Sequence, residues 1–143
     1  MDRADEIKYP VQKTDAQWRE LLTQEEYYIL REKGTEYPHT GLYNTHFEEG
    51  AYHCKGCGQK LFESDSKFQT DCGWPGFDRP LDSAIIYQKD TSHGMVRVEI
   101  LCSKCGGHLG HVFNDGPTET GLRYCVNSAS LDFENEKDNI FER

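Results

Sequence analysis

The chain has 143 residues, with 16 basic against 25 acidic side chains (formal net charge −9), six Cys and six His. A chain of this length buries roughly two-thirds of its unfolded surface, enough for one core and hardly for two, so one domain is expected. The acidic balance without a Lys/Arg cluster argues against nucleic acid. The absence of any apolar run near ~18 residues argues against a membrane span, and Met1-Asp-Arg-Ala-Asp-Glu6 has no secretory pattern.

Residues 1–13 read as an extension, 14–133 as the domain and 134–143 as a polar tail, the solvated character starting at Asp132. Thr14-Asp-Ala-Gln17 and Thr23-Gln-Glu-Glu26 both fit the capping box and predict two short helices, 15–22 and 24–33. Trp18, Leu21 and Leu22 would give the first an apolar edge, Ile29 and Leu30 the second, and Gly34 would stop it. From Pro38 onward short strands alternate with Gly and Pro. Ala84–Gln88 is one candidate, and Leu122–Phe133 contains another. Met95–Cys102 alternates, which predicts Val96, Val98 and Ile100 inside and Arg97 and Glu99 outside. No βαβ pattern appears, so the body should be antiparallel and mainly β.

Cys54-Lys-Gly-Cys57-Gly58 and Cys102-Ser-Lys-Cys105-Gly106 repeat the pattern C-x-x-C-G-x-x-L. Four thiolates in two such turns form the tetrahedral all-cysteine set of a structural zinc site; two redox disulfides or buried thiols are the alternative. A closed shell of four cysteines offers substrate no position, so the metal would staple two distant turns.

Cys72 and Cys125 remain. In Arg123-Tyr-Cys-Val-Asn127, strand alternation places Arg123, Cys125 and Asn127 on one face. Arg123 would favour a Cys125 thiolate, although a lone Cys is commonly a buried structural thiol. His108 and His111 follow the second turn, where the first has Lys60. They read either as packing residues, as second-metal ligands or as acids beside a thiol. His39, His46, His53 and His93 have no such context and read as structural or surface. Cys72 lies in Thr70-Asp-Cys-Gly-Trp-Pro-Gly-Phe77, a loop in which Trp74 is either core or a receptor for a small apolar group.

Gly-Trp-Pro-Gly-Phe, His-Leu-Gly-His-Val-Phe, Arg-Tyr-Cys-Val-Asn-Ser-Ala-Ser, the two C-x-x-C pairs and Glu-Lys-Gly-Thr-Glu at 32–36 resemble the methionine-R-sulfoxide reductases of the MsrB class over roughly residues 14–133. The resemblance implies a β-tent fold of two antiparallel sheets stapled by zinc, with helices at the amino-terminal end. It makes Cys125 the nucleophile and Cys72 the resolving thiol, with His108, His111 and Asn127 handling the sulfoxide oxygen and its water. Trp74 and Phe113 would hold the ε-methyl group, Arg123 would hold the thiolate, and Cys54, Cys57, Cys102 and Cys105 would bind one Zn2+. Implied partners are oxidised-methionine proteins or peptides, and thioredoxin as reductant. A monomer in the cytosol or nucleus, without nucleic acid or membrane, completes the expectation. The family's loop usually has Ser where this chain has Gly76.

Overall fold

A computed structural model describes residues 9–70 and 72–135, without the side chain of His93. Two helices, α1 (Asp15–Leu21) and α2 (Gln24–Glu32), precede nine strands. These are β1 (Gly50–Cys54), β2 (Lys60–Glu63), β3 (Lys67–Phe68), β4 (Gly76–Phe77), β5 (Ile85–Asp90), β6 (Arg97–Cys102), β7 (His108–Phe113), β8 (Arg123–Val126) and β9 (Leu131–Asn135). They form a three-stranded sheet ordered β2-β1-β9 and a six-stranded sheet ordered β3-β4-β8-β7-β6-β5, and every pairing is antiparallel. The mainly β, two-sheet architecture with short amino-terminal helices is the expected one. No helix among the described residues is long and apolar enough to cross a membrane.

Both helices start at reciprocal capping boxes. Thr14 Oγ1 accepts from Gln17 N while Gln17 Oε1 accepts from Thr14 N, and Thr23 and Glu26 do the same. Each cap satisfies amide groups that a short helix otherwise leaves unpaired, worth about 1 kcal/mol. Helix α2 ends one residue before the expected stop: Lys33 takes the left-handed conformation (φ 60°), which lets its ammonium reach Glu99. Leu21 faces solvent, so the inner edge of α1 is Trp18 with the following Leu22.

The core lies between the sheets and under the helices. Phe62 stacks on Phe77 with ring centroids 4.2 Å apart, and Tyr52 meets Phe77 edge-on at 5.1 Å. With Trp18, Ile29, Leu30, Leu61, Ile100, Leu109 and Val126 they are sealed from solvent, each contributing roughly 1.5–3 kcal/mol by burial.

Three strand expectations need correction. Strand β6 begins at Arg97, and its simple alternation fails: Val96 and Val98 are exposed, whereas Glu99 is 2% exposed and Ile100 beside it is buried as expected. Burying an acid is tolerable here because His108 and Lys33 pair with it. The segment 122–133 holds two strands, β8 and β9, in different sheets. Asp132–Asn135 is no tail, since it pairs with β1 through Gly50↔Asn135 and His53↔Asp132. Residues 1–8 of the extension and 136–143 of the tail lie outside the described residues. His46 bonds Tyr52 and His53 bonds Glu134, as structural histidines should.

Candidate functional site

The two C-x-x-C-G repeats fold alike. Gly58 N donates to Cys54 O and Gly106 N to Cys102 O, both at 2.8 Å, and both glycines sit at positive φ (83° and 77°), where a side chain would strain the turn. The four sulfurs lie within 4.8 Å of one another, with Cys54–Cys105 at 3.7 Å and Cys57–Cys102 at 3.5 Å. A tetrahedron with metal–sulfur bonds of about 2.3 Å has edges of about 3.8 Å, so this cluster could hold a metal ion. Gln59 Nε2 approaches Cys102 Sγ at 3.5 Å, and Arg31 Nη1 donates to Cys105 O, tying α2 to the second turn.

The other two cysteines meet on the six-stranded sheet. Strand pairing sets Gly76, Cys125, His111, Glu99 and Gln88 in one transverse row across β4, β8, β7, β6 and β5. The loop before β4 returns over β8, anchored by Val126 N to Pro75 O, and brings Cys72 Sγ to 3.0 Å from Cys125 Sγ. Cys72 N donates to Thr70 Oγ1. The Thr70 methyl occupies the space that a Cβ at Gly76 would enter, with 2.9 Å between them. Gly76 therefore lets this loop close against β8.

Arg123 directs three nitrogens. Nε and Nη2 grip the Asp115 carboxylate at 2.8 and 3.0 Å, and Nη1 points at Cys125 Sγ at 2.8 Å. Its guanidinium also lies 4.6 Å over the Phe113 ring. The hydrogen bond from Cys125 lowers Cys72 to about 5, although burial opposes this. The same contact raises Cys125, burial adding to it and Arg123 acting in the opposite sense. The two sulfurs thus share one proton near neutrality.

Each histidine is held by a carboxylate. His108 Nδ1 donates to Glu99 Oε2 at 2.6 Å, both side chains 3% exposed, and Lys33 Nζ closes the chain at 3.3 Å from Glu99 Oε1. Burial pushes the Glu99 carboxyl up, but His108 and Lys33 bring it below its usual range. His111 Nε2 donates to Asp90 Oδ2 at 2.7 Å, which Arg97 Nη2 also reaches. A carboxylate only accepts, so Nδ1 is the free nitrogen of His111 and Nε2 that of His108. Burial depresses His111, and Asp90 opposes that in part.

A cavity of about 250 Å3 opens above the thiol pair. Cys72, Trp74, His111, Phe113, Arg123, Cys125 and Asn127 line it. The sequence-derived candidates are therefore gathered here, except that His108 lines the neighbouring cavity instead. Asn127 lines the wall, but its amide is already committed, accepting from Glu36 N and donating to Leu109 O. Trp74 Nε1 donates to Glu36 O at 3.0 Å, which anchors the ring to the backbone after α2. Asp90, Glu99, Arg97, Asp115 and Glu36 were missed by sequence reasoning; their contacts span between 7 and 91 positions. Arg97 and Glu99 carried a signal as charges inside an apolar strand, and Glu36 as the last residue of the Glu-Lys-Gly-Thr-Glu motif.

In Cys125→Ala the donor to Cys72 is gone, so the ionisation of Cys72, held at about 5 in the native pair, is expected to rise well above that value. The pH dependence of haloacetamide alkylation measures it. An unchanged ionisation would mean that the sulfur–sulfur contact does not set it.

The fold and site define a mainly β protein with a paired-thiol centre and a separate four-cysteine cluster. A SelR domain family model matches residues 22–135, and the chain belongs to that family. It is 56% identical over 131 residues to "Peptide methionine sulfoxide reductase MsrB" of Leptospira interrogans, covering 91% of this chain and 100% of that protein. The proteins of the same name from Chromohalobacter salexigens and Cellvibrio japonicus are 58% and 57% identical, covering 86% of this chain in both cases and 94% and 89% of their own.

Proposed function

We propose that this enzyme reduces methionine-R-sulfoxide in proteins and peptides to methionine and so repairs oxidised proteins. The observation that carries the reading is the Cys72–Cys125 pair, 3.0 Å apart beneath a cavity walled by Trp74 and Phe113, with Arg123 on Cys125.

A sulfoxide sulfur becomes electrophilic when its oxygen takes a proton, so the reaction needs a thiolate and an acid together. Cys125 is the nucleophile. Its proton passes to Cys72 and Arg123 Nη1 compensates the charge left behind. His111 as imidazolium donates from Nδ1 to the sulfoxide oxygen while Asp90 stabilises the cation on the far nitrogen. His108, oriented by Glu99, holds the attendant water, and Asn127, fixed to the backbone, walls the site. Attack joins Cys125 Sγ to the substrate sulfur as the protonated oxygen leaves as water; water then attacks Cys125 Sγ and breaks that S–S bond, which releases methionine and a proton and leaves Cys125 as a sulfenic acid. The Cys72 thiol then displaces water, giving a Cys72–Cys125 disulfide, and an external dithiol of the thioredoxin kind returns both to thiols. Trp74 and Phe113 pack the ε-methyl group, which fixes the face of sulfur presented to Cys125.

The four-cysteine cluster holds Zn2+, because four thiolates at tetrahedral spacing suit that ion and leave no open position. Its contribution is structural. The protein works as a monomer in the cytosol or nucleus.

The test is stereochemical. From a mixed-epimer methionine sulfoxide peptide with a dithiol reductant, the R epimer should be consumed and the S epimer should survive, as resolved by chromatography. Survival of the R epimer would overturn the reading.

A further inference from the structure

A second cavity, of about 460 Å3, adjoins the first and shares Thr35, Arg97 and His111 with it. We infer that it receives the polypeptide backbone flanking the oxidised methionine, and that Gln88 is a specificity residue that favours peptide over single amino acid. This rests on the sulfoxide-reductase reading and names the part of the substrate that the site reads.

Three observations carry it. First, Gln88 is 7% exposed, lines this cavity, and its buried Oε1 has no hydrogen-bond partner among the described residues. Arg97, in the wall common to both cavities, leaves Nε equally unpartnered. A buried acceptor and a buried donor left open are destabilising unless something answers them. A peptide group answers both, with its N–H to Gln88 and its carbonyl to Arg97.

Second, most charges of the wall are already matched. Lys33 and His108 share Glu99, and Arg97 and His111 share Asp90. Apart from the exposed Lys89, the open groups of the wall are the Gln88 acceptor and the Arg97 Nε donor, a pair that an amide with one N–H and one carbonyl matches.

Third, the reach is right. Gln88 stands three strands from Cys125 in the same transverse row. At about 4.8 Å per strand that is roughly 14 Å, or about four residues of extended chain. A lone methionine sulfoxide with its side chain over Cys125 cannot span that gap.

The experiment compares two R-sulfoxide substrates, N-acetyl-methionine sulfoxide methylamide and a neutral peptide with about four residues on either side of the same residue. For Gln88→Met the KM for the peptide should rise about five-fold, the effect of one lost hydrogen bond. The KM for the blocked residue should move much less, and kcat for the peptide should stay within about two-fold. Removing an orphaned acceptor should leave the melting temperature equal or higher, which a purely structural Gln88 would not predict. Equal changes in both KM values, or an unchanged peptide KM, would overturn the inference. A length series on the unaltered protein provides a check independent of the variant: KM should drop when one flank reaches about four residues, and a KM flat with length would overturn it. If the unaltered protein reduces neither substrate, the sulfoxide-reductase reading fails instead.

Discussion

Cys125→Ser is expected to lower reduction of a methionine sulfoxide peptide by at least about four orders of magnitude, the scale of losing a nucleophile. Serine keeps the size of the side chain and the Arg123 contact, so the fold and cavity should persist while the reacting sulfur is gone. Cys72→Ser separates the two thiols. One equivalent of methionine should form per chain, because Cys125 and its acid remain, and a sulfenic acid should then be trapped by a dimedone-type reagent. Cycling with a protein dithiol should stop. Rapid-quench chromatography measures the first turnover and coupled dithiol oxidation the later ones. Undiminished turnover in Cys125→Ser would remove that residue from the chemistry. Undiminished cycling in Cys72→Ser would require another resolving thiol, and the other four cysteines are all in the distant cluster.

Stripping the metal, or replacing Cys102 by Ser, should lower the melting temperature by about 10 °C or more. The two C-x-x-C turns are separated by 44 residues, 58–101, and holding them together removes loop-closure entropy from the unfolded chain. A loss of several kcal/mol in a chain of this size corresponds to a shift of that order. The coupled measurements are metal content by elemental analysis and melting by circular dichroism. Metal-free protein with unchanged melting would deny the cluster its structural role.

What could be read in the sequence and what could not divide along one physical line. Capping boxes, C-x-x-C-G turns and the alternation of Arg123, Cys125 and Asn127 are local patterns, and each folded as its spacing required. Strand β6 misled because alternation reports polarity rather than burial. Val98 is exposed and Glu99 is buried, the acid compensated by His108 and Lys33, while Ile100 keeps its expected place inside. The carboxylates that orient His108 and His111 come from other strands, and no spacing rule reaches them. Asn127 marks a subtler limit, since residue type pointed to the site while both ends of its amide serve the backbone.

The stretch from Arg31 to Glu36 joins parts of the molecule that the sequence kept separate. Arg31 holds the second cysteine turn, Lys33 holds Glu99, and Glu36 holds Asn127, Trp74 and Ala129. These six residues act as a seam stitched to the four-cysteine cluster at one end and to the thiol cavity at the other. Detaching α2 would therefore release the Trp74 ring and the His108 carboxylate together, so the amino-terminal third and the catalytic sheet should open as one cooperative unit. A protease cut within that seam would therefore silence the enzyme by loosening the helices and the catalytic sheet together.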